Sequence, residues 1–184
     1  MSTGISMSHR VSRRRLLAAA AALPFGASLA GCDKSERDGV NKAQLAAFWA
    51  LRLPAVPPDS SGGEVALAAF RGRPLLVNFW ATWCPPCVAE LPLLSNFYAD
   101  RGSQSCQCLG LAVDDKRELV ARFLARAPVS YPVALAGLAG VQISRNLGNT
   151  AGVLPFTVLF DANGGIKHRK MGQLQLSDLK MWLG

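Results

Sequence analysis

Histidine is nearly missing from this chain: His9 lies in the first ten residues, and His168 is alone in the remainder. A metal centre built on imidazole is therefore poorly provided for. Cysteine is sparse as well, five in 184 residues, and that is too few for a small scaffold stapled by disulfides. A chain of this length, half of it hydrophobic, buries one ordinary core without such staples. No acidic residue precedes Cys32, and the early apolar run from Leu16 to Ala30 is broken by Pro24 and Gly26. That run falls short of the ~20 residues that a membrane span requires. Internal repeats, low-complexity tracts and a basic stripe are also lacking. The formal charge of +8 owes half its size to Arg10, Arg13, Arg14 and Arg15; without them 16 basic residues face 12 acids, a net of +4. Such scattered charge serves solubility, and nucleic acid is not an expected partner.

What is there begins with an address. A basic stretch, an interrupted apolar run and the small residues Ala30 and Gly31 have the grammar of a signal peptide over residues 1–31. Leu29-Ala30-Gly31-Cys32 resembles the lipobox of bacterial lipoproteins, which implies cleavage before Cys32 and lipidation of that cysteine. The other reading is an ordinary secretory signal in which Cys32 falls by coincidence. Asp33, by the same resemblance, implies retention at the periplasmic face of the inner membrane. Ser12-Arg13-Arg14-Arg15-Leu16-Leu17 resembles a twin-arginine export motif, although any basic leader can be arginine-rich, so both export routes stay open. Residues 32–48 then form a lipidated cysteine and polar tether, and residues 49–184 one folded domain.

Within that domain, Leu51 to Phe70 carries prolines and a Ser-Ser-Gly-Gly turn and predicts an edge hairpin. Leu75–Trp80, Leu109–Val113 and Thr157–Phe160 are short apolar runs of the kind that form buried strands. A helix beginning at Cys84 makes a β-α-β unit of the first two. A helix over Asp115–Arg126, a short strand near Tyr131–Leu135 and a helix near Ile143–Leu147 follow. Asp161-Ala162-Asn163-Gly164-Gly165 predicts a hairpin turn leading to Ile166–Met171, and Ser177–Leu183 a closing helix with Ser177 as its cap.

The chemistry concentrates at Cys84-Pro85-Pro86-Cys87, where a buried strand gives way to a helix. Residues three apart on a helix are neighbours, so the two sulfurs can reach disulfide distance. Cys84 sits among the unpaired N–H groups of the helix start, which favour thiolate and make it the attacking nucleophile. Cys87, one turn deeper, is the resolving thiol. Pro85 and Pro86 remove backbone donors near the sulfur and tune the potential. The pair could instead be half of a zinc site, but the further ligands on offer, Cys106, Cys108 and His168, lack zinc spacing.

The stretch from Leu76 to Cys87, with Glu90-Leu91-Pro92 and Gly152-Val153-Leu154-Pro155-Phe156-Thr157, resembles the thioredoxin superfamily. Within it the chain is similar to the TlpA- and ResA-like membrane-tethered reductases and the cytochrome c biogenesis thioredoxins, from about Leu51 to the C-terminus. The resemblance implies an α/β thioredoxin-like fold, a central mixed sheet flanked by helices, with an N-terminal edge hairpin and a central insertion. It implies a cis Pro155, with the backbone of Leu154 offered to a substrate strand, and Trp83 shielding the sulfur or meeting substrate. Glu90 matches an acid near the dithiol of the ResA-like reductases and is a possible proton acceptor for Cys87; a solvated surface glutamate is the plainer reading. Asn78 stands where thioredoxin has a buried aspartate, and an amide takes up no proton.

Function follows as expectation: a reductase of client protein disulfides in cytochrome c or copper-site maturation, kept reduced by a transmembrane DsbD- or CcdA-type donor. The redox group is the Cys84–Cys87 disulfide, with no other cofactor and no metal. A disulfide-forming oxidant of the same fold and a copper-binding chaperone are the alternatives. Cys106 and Cys108 fall outside the resemblance and read as free thiols or as a secondary C-x-C disulfide, with a metal site as the third reading.

Overall fold

The computed structural model describes residue 1 and residues 39–56 and 63–184, the side chains of residues 101–104 excepted. The expected leader, Cys32 and most of the tether lie outside the described residues. Strand β3 (Leu75–Trp80) is the centre, with all six residues buried. It is flanked by β4 (Gln107–Ala112), parallel, and by β6 (Phe156–Phe160), antiparallel. With β5 (Val133–Leu135) and β7 (Ile166–Met171) outermost, the sheet runs β5-β4-β3-β6-β7. Strands covered on both faces need no polar alternation, which is why β3, β4 and β6 read as near-continuous apolar runs.

Side chains alternate across a sheet, so the register decides which residues meet. Asn78 lies opposite Gly110 of β4 and Thr157 of β6, and these share a face with Trp80. The β3–β4 crossover is α2 (Pro85–Ser105) and the β4–β5 crossover is α3 (Arg117–Arg126). Both advance in the same direction, so right-handedness puts both helices over that face, and Phe123 of α3 meets Trp80 with ring centroids 5.5 Å apart. Helix α4 (Ala139–Asn146) returns from β5 to β6 across the other face. Helix α5 (Leu176–Leu183) closes the chain.

The edge hairpin forms as a separate two-stranded sheet, β1 (Arg52–Pro54) against β2 (Glu64–Ala66), followed by a 3-10 turn at Leu67–Phe70. It covers the β5 edge through an Ala55–Ala134 bridge and a Val56 N–H bond to the Val133 carbonyl at 2.9 Å. An otherwise open row of backbone groups is thereby closed.

Three expectations differ in detail. Residues 42–48, expected as tether, are helical: α1 (Lys42–Trp49) is capped by reciprocal bonds between Asn41 and Gln44. Its end is core, with Phe48 stacked on Phe160 at 4.9 Å and the indole of Trp49 donating to the Gly164 carbonyl at 2.9 Å. Those aromatic contacts come from distant strands, so no local period announced them. Helix α4 starts four residues earlier than expected, because Gly140 permits close approach: a Cβ there would lie 2.7 Å from Val113 Cγ1. Gln175, not Ser177, caps α5, and its N–H donates to Asp178 at 2.7 Å.

Candidate functional site

The dithiol sits on a turn held from below. After Trp80 the chain bends through Ala81-Thr82-Trp83, and Cys84 N–H closes the turn on the Ala81 carbonyl at 3.2 Å. Buried Asp114, just past β4, accepts from the Thr82 N–H at 3.1 Å and from its hydroxyl at 2.5 Å. Cys84 is the N-cap of α2 in extended conformation, with prolines in the first helical positions, where no N–H is needed. Cys84 and Cys87 are joined by a disulfide, S–S 2.08 Å and Cα–Cα 5.3 Å. Cys84 retains 5% exposure and Cys87 none, so a nucleophile from outside meets Cys84. Trp83 is 67% exposed and projects beside it.

The Leu154–Pro155 peptide is cis. Phe156 pairs with Phe79, so Pro155 lies at the sheet end from which β3 leads to Cys84. The preceding loop is clamped by buried Asn149, which donates to the Val153 carbonyl at 2.8 Å and accepts from the Val153 N–H at 3.1 Å. Gly172 N–H donates to the Pro155 carbonyl at 2.8 Å from the other side. Sequence reasoning missed both Asp114 and Asn149. The first had a signal, an acid directly after an apolar run; the second, in a polar loop, had none.

Glu90 is fully buried, which excludes the reading as a surface glutamate. One oxygen accepts from Asn78 Nδ2 at 2.6 Å, the other from Leu174 N–H at 2.7 Å. Asn78 Nδ2 also donates to Thr157 Oγ1 at 3.0 Å, so the amide that cannot take a proton instead orients the group that can. Burial pushes the Glu90 carboxyl up to about 7, against the opposing pull of Leu174, Asn78 and Lys170. Glu90 lies three residues past Cys87 on α2.

Cys106 and Cys108 are free and buried. Desolvation pushes Cys106 up to about 11 and Cys108 well above the ordinary thiol range, so both are held as unreactive thiols. His168 stacks on Trp182 at 5.2 Å. Among the described residues no group of three or more His, Cys, Asp or Glu could hold a metal ion.

Comparison with known proteins agrees with this geometry. The redoxin family model matches residues 50–182. Thiol-disulfide oxidoreductase ResA of Geobacillus thermodenitrificans is 31% identical over 125 residues, covering 68% of this chain and 70% of the relative. The Geobacillus kaustophilus protein of the same name is 30% identical with the same coverage. Among solved structures, a thioredoxin-related protein from Neisseria meningitidis serogroup B is 32% identical, with TM-score 0.58, covering 65% of this chain and 88% of its own. A thioredoxin family thiol:disulfide interchange protein from Chlorobium tepidum is 27% identical, with TM-score 0.60, covering 73% and 95%.

Proposed function

The chain belongs to the redoxin family and is a thiol–disulfide oxidoreductase of the thioredoxin superfamily, and from that premise we propose that it reduces disulfides of client proteins outside the cytoplasm. The observation that carries the reading is the Cys84–Cys87 disulfide at the start of α2, with the accessible sulfur outermost and cis Pro155 at the same end of the sheet. In the reduced enzyme the Cys84 thiolate, favoured by the helix start, attacks one sulfur of a client disulfide and expels the other as thiolate. Cys87 gives its proton to Glu90 and attacks Cys84; the second client sulfur leaves, and the enzyme is left oxidised by two electrons. Leu154 offers its backbone to the client strand, and Trp83 supplies an apolar contact beside the sulfur.

The leader, with lipid on Cys32, locates the enzyme at the periplasmic face of the inner membrane. Among the described residues no helix is long and apolar enough to cross a membrane. In that oxidising space the reduced form needs a transmembrane dithiol donor of the DsbD or CcdA type. Apocytochrome c and copper-site proteins are the proposed clients, on the strength of the family resemblance.

Two measurements test this. In cells, Cys87→Ser cannot resolve the mixed disulfide on Cys84, so the client stays attached and can be identified; clients with no paired cysteines would sink the proposal. A reduction potential near thioredoxin's, about −270 mV, fits a reductant, whereas one near about −120 mV would make the enzyme an oxidant.

A further inference from the structure

Glu90 is linked to a largely buried ion pair through two consecutive backbone amides. Leu174 N–H donates to Glu90 Oε2 at 2.7 Å, and the next amide, Gln175 N–H, donates to Asp178 Oδ2 at 2.7 Å. That Asp178 oxygen also accepts from Lys170 Nζ, with side-chain exposures of 29% for Lys170 and 15% for Asp178. Lys170 lies opposite Thr157 in the β6–β7 register, and Thr157 lies opposite Asn78. Alternation therefore puts Lys170 on the sheet face into which Glu90 is buried, with Thr157 and Asn78 between them. The loop joining β7 to α5 is thus held between the fully buried carboxyl of Glu90 and the partly buried one of Asp178.

We propose that Lys170 and Asp178 form an opposed pair of positioning residues for Glu90: the lysine stabilises its ionised form, and the aspartate, by occupying the lysine, limits that stabilisation. The physical basis is the balance at Glu90. Burial raises the proton affinity of Glu90 and both of its oxygens are tied to neutral donors, so the remaining field adjusts the balance between its two forms. On α2 the nearest redox group is Cys87, uncharged in the disulfide. From β4 Cys108 faces Glu90, and from the segment before β5 Tyr131 does; burial and mutual repulsion hold both well above their ordinary ranges and hence neutral. From β3 and β6 come the uncharged Asn78 and Thr157. From β7 comes the cation Lys170, and from α5 the anion Asp178, whose own carboxyl is lowered chiefly by its bond to Lys170. An unopposed lysine would tilt Glu90 toward the carboxylate, and loss of the lysine would tilt it toward the protonated form. The paired arrangement leaves it between those limits.

The consequence for catalysis rests on Glu90 being the proton acceptor for Cys87; the electrostatic relation does not. The test is a carbon-13 side-chain carboxyl NMR titration of Glu90 in the oxidised full-length protein, assigned by Glu90→Gln, together with the pH profile of exchange with a small model disulfide. Lys170→Met raises the Glu90 midpoint and Asp178→Asn lowers it, each on the order of half a pH unit, while Lys170→Arg keeps it at the wild-type value. Shifts of the same sign in both variants, or no shift in either, overturn the proposal. Should a variant fold poorly, Lys170→Gln and Asp178→Ser carry the same expected signs. Opposite NMR shifts accompanied by an exchange profile that Glu90→Gln leaves unchanged support the electrostatic pair and remove the catalytic role of Glu90.

Discussion

Asp114 accepts both the backbone N–H and the hydroxyl of Thr82, and this ties the end of β4 to the turn that presents Cys84. Both bonds end on one buried carboxyl, and removing it leaves the Thr82 donors without their partner. Asp114→Ala is expected to destabilise the oxidised protein by about 1–3 kcal/mol in urea unfolding. Thr82→Val, which loses only the hydroxyl bond, should cost less. Equal losses in the two variants would mean that the backbone bond contributes nothing.

Burial of Glu90 makes stability depend on pH in a definite direction. Its carboxyl titrates at about 7 in the folded chain against 4.5 for the unperturbed group. Between those values the folded state binds the extra proton, so stability falls as pH rises through the window and levels off above it. The full span amounts to roughly 3 kcal/mol. Unfolding curves of oxidised wild type and Glu90→Gln, taken from pH 4 to 8, should diverge by this slope; parallel curves would refute it.

Cys106 and Cys108 are buried and hold their protons tightly. Iodoacetamide at neutral pH should leave both unmodified in the native protein and label both in denaturant, as read by peptide mass. Native labelling at a rate near that of a free thiol would show that the strand start opens.

Trp49 joins the first helix to the sheet through Phe48, Phe160 and the Gly164 carbonyl. Trp49→Ala should cost about 3–5 kcal/mol, as truncation of a core aromatic does. A loss below about 1 kcal/mol would return this helix to the tether.

Much of the site was legible because its signals are local. Cys84 and Cys87 are three residues apart at the junction of an apolar strand and a helix, and both the spacing and the junction are properties of one short segment. The same holds for the turn at Asp161–Gly165 and for the apolar strands. Glu90 was legible as a residue but not as an environment: from sequence it could equally lie on a wet helix surface. Asp114, Asn149 and the α1 packing were not legible, since each depends on partners brought together by the sheet.

By itself, then, the sequence determined the dithiol and the β-α-β frame around it, because periodicity, turn chemistry and spacing act between near neighbours. Only the tertiary structure decided that Glu90 is dry, that Asn78 and Leu174 hold its two oxygens, and that Lys170 and Asp178 stand behind it. Burial and charge act through space, and Leu174, which bonds one oxygen of Glu90, lies 84 positions away from it along the chain.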